Sequence, residues 1–177
     1  KVEIEKSNFI GDSISSLGYP AGGALGFEKM WPVSQEGYTS TFSSCNCGFK
    51  KEAFEKYGLF DEDFPMAGGE DTLLADNICK KGGKIKYCPQ AIVIHQARDN
   101  LFSFIKWQIK RGEGIYLFQK KVKSIKGRIK NRFWSIKNIL LSYWFDWKIL
   151  LIIPLLVLSL VCQQVGYYGA KKSDAAG

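Results

Sequence analysis

The sequence predicts an α/β fold followed by a membrane-associated helical tail. Three observations predict it. Short apolar strands alternate with amphipathic helices between residues 40 and 122. Charge is split along the chain: residues 1–99 hold eleven basic and fourteen acidic side chains, residues 100–177 fourteen basic and three acidic. Ile149 to Cys162 is apolar apart from Ser159. With 177 residues, 46% apolar and 14% aromatic, the chain can bury a core, which excludes wholesale disorder. Four segments follow: a folded part over 1–122, a basic and aromatic stretch over 123–148, a transmembrane helix over 149–169 and a polar tail over 170–177.

Residues 1–44 are rich in Gly, Ser and Thr. The run from Ser16 to Gly23 reads as a loop, since Gly and Pro supply turns. Thr39 to Ser44 has strand character. Lys50 to Tyr57 is a short helix of good helix formers, stopped by Gly58. Asp61 to Gly69 is a loop. A second helix runs from Glu70–Asp71 to Lys81, with two acids at its positive end and Gly82-Gly83 after it. Lys84 to Cys88 alternates as a strand does. Ala91 to Ile94 is a strand of the buried type, which delivers His95 at its end. Asp99 or Asn100 caps a third helix over Leu101–Val122, and Gly112 and Gly114 predict a weak point or kink within it.

From Ile115 to Phe145 there is no acidic residue, while eight Lys and Arg stand there. Trp134, Tyr143, Trp144 and Trp147 come next. A basic stretch, an aromatic belt and then about 20 mostly apolar residues is the order of a cytoplasmic membrane face. The positive-inside rule then puts residues 1–137 in the cytoplasm. Anionic membrane lipids are the expected partner of the basic run, and nucleic acid is not. Cys45, Cys47, Cys79, Cys88 and Cys162 are odd in number and irregularly spaced, so small buried thiols in a reducing compartment are expected.

Two places have the residue types for chemistry. Gly68 and Gly69 let a ligand approach the backbone, and the helix start behind them presents Glu70 and Asp71. A carboxylate at a helix N-terminus tends to stay ionised and can serve as a general base. Read alone, such acids are equally ordinary helix-start residues. His95, the one histidine, ends a strand, where an imidazole can ligate a metal or bond a phosphate, or simply satisfy a strand edge.

Several pieces stand in a fixed order: Cys47 to Phe54, Tyr57-Gly58-Leu59-Phe60-Asp61-Glu62-Asp63-Phe64, Gly69-Glu70-Asp71-Thr72-Leu73-Leu74, Gly82 to Tyr87, and Pro89 to His95. Over about residues 40–120 this set resembles the second half of a family 2 glycosyltransferase of the GT-A fold, and the tail resembles that of its membrane-bound members. The resemblance implies an inverting transfer of a sugar from a nucleotide-sugar donor to a glycan or lipid-phosphate acceptor. It implies Asp71 as the base and Glu70 as the group that positions base or acceptor. Asp61, Gly68 and Gly69 would line the acceptor side, Gln108 and Arg111 would contact the diphosphate, and His95 would complete a metal site. The divalent metal, Mg or Mn, would be held mostly by a donor-binding half that the sequence does not show. Asp61-Glu62-Asp63 has the letters of a metal motif but belongs to the acceptor-loop pattern. The alternative expectation is a non-catalytic membrane-anchored remnant or binding module that keeps the acceptor half.

Overall fold

A computed structural model describes residues 1–64, 68–122 and 126–176, with only the backbone of 126–128. Pro65, Met66 and Ala67 of the predicted loop, Lys123, and the side chains of Lys126 and Arg128 from the basic run lie outside the described residues. The chain mixes helix and sheet, with few strands and one long apolar helix at its C-terminal end.

In order, the elements are β1 (Val2–Ile4), α1 (Phe9–Ser16), a 3₁₀ turn (Gly23–Leu25), α2 (Phe27–Met30), β2 (Tyr38–Thr39) and α3 (Lys51–Tyr57). Then come α4 (Glu70–Lys80), β3 (Ile85–Lys86), β4 (Val93–His95), α5 (Leu101–Lys121), α6 (Lys126–Tyr143) and α7 (Ile149–Ala176). The strands form two pairs among the described residues: β1 and β4 run parallel, β2 and β3 antiparallel.

The first 44 residues are more ordered than their composition predicts. Asn8 accepts the Gly11 N–H at 2.8 Å and starts α1. The Ser13 and Ser16 hydroxyls donate to the carbonyls of Phe9 and Asp12, one turn back. Serines that bond their own helix can be buried, so α1, which the sequence reading leaves unassigned, forms over 9–16, and the loop expected from Ser16 follows it as turns over 17–22. Ile14 and Leu17 from this part join the main core with Leu25, Met30, Phe104, Ile139, Ile152 and Leu155.

Two further expectations are corrected. The strand at 91–94 is not buried: Ile92 and Ile94 are 52% and 72% exposed, because β1 is its one strand partner among the described residues. Helix α5 does not break at its glycines. A Cβ on Gly112 would lie 2.1 Å from the Gln163 carbonyl oxygen, and one on Gly166 would lie 1.9 Å from that of Ile109. The glycines let α5 and α7 touch backbone to backbone, as small residues do wherever helices approach closely. Gln108 meets Gln163, Tyr116 meets Tyr167 edge to face and Lys120 pairs with Asp174, so the two helices run parallel. The cysteine reading is also corrected: all five are free thiols, but Cys45, Cys47, Cys79 and Cys88 are exposed and Cys162 alone is buried.

Candidate functional site

Helix α4 sets the acid pair. Gly69 precedes it with φ 134°, a conformation that favours glycine. A Cβ on Gly114 would sit 1.9 Å from the Gly68 carbonyl oxygen, and one on Gly69 would sit 2.6 Å from the Phe64 ring. The two glycines therefore seat the loop on α5 and Phe64; the close approach is to protein backbone rather than to the ligand the sequence predicts. Glu70 accepts the Gly68 N–H at 2.6 Å and pins this loop. Ser44 donates to its other oxygen at a loose 3.5 Å.

Asp71 is half-buried. One of its oxygens accepts the N–H and the hydroxyl of Thr72, at 2.6 and 3.1 Å. Burial pushes its carboxyl above the ordinary range, and the charge of Glu70 adds to that; the Thr72 bonds and the nearby Arg111 guanidinium oppose it. The helix start does not hold this acid low, as the sequence reading expects, because desolvation outweighs the dipole. A raised carboxyl is the stronger base once ionised. Cys47 feels the same group: burial and the charge of Asp71 raise its thiol.

Arg111 joins the acid to a second cluster. Its guanidinium lies 5.0 Å from the ring centres of both Tyr19 and Trp107, and its Nε has no hydrogen-bond partner among the described residues. Arg98 covers the Trp107 ring at 4.6 Å. Arg132 of α6 donates to the Gln163 amide oxygen at 2.7 Å, and Gln163 in turn donates to Gln108 and Ser159. Burial would raise the Tyr19 phenol, but Arg111, a bond with Ser159 and the charge of Arg132 hold it below its usual value. Every ion pair among the described residues uses a lysine, which leaves these three arginines without a carboxylate within 4.0 Å.

The other predicted site residues fall elsewhere. Asp61 is engaged by Lys121 at 2.7 Å, and that pair holds its carboxyl low. Lys121 also bonds Asp63 at 2.6 Å, so it clamps the loop to the end of α5. Gln108 is fully buried against α7 and cannot meet a free diphosphate there, because α7 supplies its partner. His95 sits at the end of β4, opposite Ile4, and its Nδ1 bonds the Gln96 carbonyl oxygen at 2.8 Å. No contact joins it to Asp71 among the described residues. Nor do those residues bring three His, Cys, Asp or Glu side chains together.

Sequence reasoning missed Tyr19, Arg132, Ser159 and Gln163. The one available signal was the pair Gln163-Gln164 inside an apolar run, since polar groups in such runs need partners. A cavity of ≈ 770 Å³ opens between β2, β3 and α3, lined by Thr41, Phe42, Asn46, Cys47 and Tyr57 among others. Cys47 links its wall electrostatically to Asp71. In comparisons with protein families, curated proteins and solved structures, nothing matches this chain.

Proposed function

We propose that this chain is the acceptor-side part of a membrane-bound, inverting glycosyltransferase of family 2 with a GT-A fold. One observation carries the reading: Arg111 lies against the loop just before Asp71, its Cγ 3.8 Å from where a Cβ on Gly68 would sit, while it also belongs to an arginine cluster without carboxylate partners among the described residues. Sugar transfer from a nucleotide-sugar needs a base and an anion-stabilising cation side by side. Asp71 takes the proton of the acceptor hydroxyl. The hydroxyl oxygen forms its bond to the anomeric carbon as the bond to the diphosphate breaks on the opposite face. The diphosphate leaves with the electron pair, and Arg111 offsets its charge. A lipid-phosphate acceptor arrives already anionic and asks less of the base. Glu70 holds the loop that precedes Asp71 and is a positioning residue. The donor-binding half and its metal belong to the complete gene product in this reading.

The test is transfer by the complete gene product from a panel of nucleotide-sugars to glycan and lipid-phosphate acceptors. Asp71→Asn should lower turnover by about 10²–10⁴ with a hydroxyl acceptor. Turnover within a few-fold of the parent removes Asp71 as the base.

A second reading, a binding module without catalysis, is favoured by the engagement of Asp61, Glu70 and Gln108 in structural bonds. It predicts acceptor binding that Asp71→Asn leaves unchanged, with no transfer from any donor.

A further inference from the structure

Helix α7 is long enough to cross a bilayer: 28 residues span about 42 Å, against a hydrocarbon core of about 30 Å. Its packing argues for a different placement. One face, Ile152, Leu155, Ser159, Cys162, Gln163 and Gly166, is buried along the length of the helix. Ile152 and Leu155 share the main core with Ile14, Leu17, Leu25 and Phe104. Further on, α5 lies against the helix with Lys110, Arg111, Glu113 and Lys120, and Lys120 and Tyr116 hold Asp174 near its end. A spanning α7 would carry these charges and the folded core into hydrocarbon, where each ionised group is costly.

The opposite face is exposed and apolar apart from Gln164. Leu150, Ile153, Val157, Val161, Val165 and Tyr168 follow one another at helical spacing, and Leu150 is 77% exposed. Phe133, Trp134, Leu141, Trp144, Phe145 and Trp147, from α6 and the turn after it, are exposed too. Residues 115–145 carry eight basic side chains and no acid, so an anionic surface complements this end of the molecule.

We propose that α6 and α7 lie flat in an anionic lipid surface, α7 in the membrane plane with its Leu150–Tyr168 stripe in the acyl boundary, and that α7 does not cross. The inference rests on the membrane attachment of the proposed function and changes its geometry. Both ends of α7 then face the same aqueous side, and the acid pair stands on that side too.

The test uses the full chain with Cys45, Cys47, Cys79 and Cys88 changed to serine and Cys162 to alanine, its fold checked by circular dichroism. Lys148→Cys and Lys172→Cys are introduced singly. The protein is added to sealed vesicles of phosphatidylcholine with phosphatidylglycerol, and to phosphatidylcholine alone. Binding should favour the anionic vesicles. A membrane-impermeant maleimide added outside should modify both cysteines without permeabilisation, and a bimane at positions 150, 157 and 165 should be quenched equally by a shallow nitroxide lipid. Labelling of one end only after detergent, or quenching that deepens from 150 to 157 and returns, shows a spanning helix and overturns the proposal. Absence of binding to either vesicle overturns it as well and leaves sugar transfer to a soluble acceptor standing. Shielding of the stripe without lipid, with a dimer in solution, assigns the face to a second copy and overturns it too.

Discussion

The two halves of the molecule hold themselves together differently. Residues 1–100 form short elements around small aromatic clusters, such as Phe42, Phe49, Phe54 and Phe60 beside Leu74 and Ile78, and leave apolar strand residues open. The described residues of 101–176 form three helices, two of them locked backbone to backbone through glycines. The acid pair belongs to the first half, yet its loop rests on Gly114 of the second. The difference teaches that the position of the chemistry is set by helix packing and its identity by the first turn of α4.

Substitutions can break this contrast. Phe104 is fully buried at the junction of both halves, so Phe104→Ala should cost about 3–5 kcal/mol in denaturant unfolding. Its counterpart on the open strand, Ile94→Ser, should stay within about 0.5 kcal/mol. A loss at Ile94 comparable to that at Phe104 would show that the strand face is covered in solution. Gly112→Val drives a side chain into the Gln163 backbone and should cost about 3 kcal/mol by the same measurement. The Asn100 carboxamide accepts the Ser103 N–H at 3.1 Å, and Asn100→Ala should cost about 1 kcal/mol.

The smallest effect sharpens the comparison most, since it separates function from packing. The folded carboxyl of Asp71 is raised, so its contribution to stability is complete below the ordinary carboxylate value and is lost as pH rises through the folded value. At neutral pH the ionised acid destabilises the fold. Asp71→Asn should therefore raise the melting temperature slightly at pH 7 and lose that advantage in acid. Base activity should fall, as pH drops, at a higher pH than an ordinary aspartate would give. A melting temperature that falls at pH 7 contradicts the burial argument.

Part of the second half was legible in the sequence; helix α6 within the basic stretch and the run of α7 through the expected polar tail to Ala176 were not. Asn100, the periodic apolar residues after it and the Val122 stop define α5 within a residue. Helices α3 and α4 were legible from Gly58 and Gly82 for the same reason: a helix ends where a left-handed residue is cheap. Gly112 misled because one residue type serves two purposes, a hinge in an isolated helix and a contact point in a packed one, and only the neighbour decides. Helix α1 went unread because its serines look like loop residues until their hydroxyls bond within the helix. At the site, the sequence marked Asp71 and Arg111 but not their company. Tyr19 and Arg132 reach that cluster from elements distant in sequence, and no local pattern announces such a meeting.

The contact between the Gly68 carbonyl and Gly114 has one more consequence. There is no room at that point for even a methyl group, so the loop that leads into the acid pair cannot slide along α5 without the helix backbone yielding. The acid pair inherits the stiffness of a 21-residue helix instead of the freedom of a surface turn. A push on α5 from the α7 side would travel to Asp71 as a rigid displacement, and the amide protons of Gly68 and Gly114 would then exchange with solvent in step.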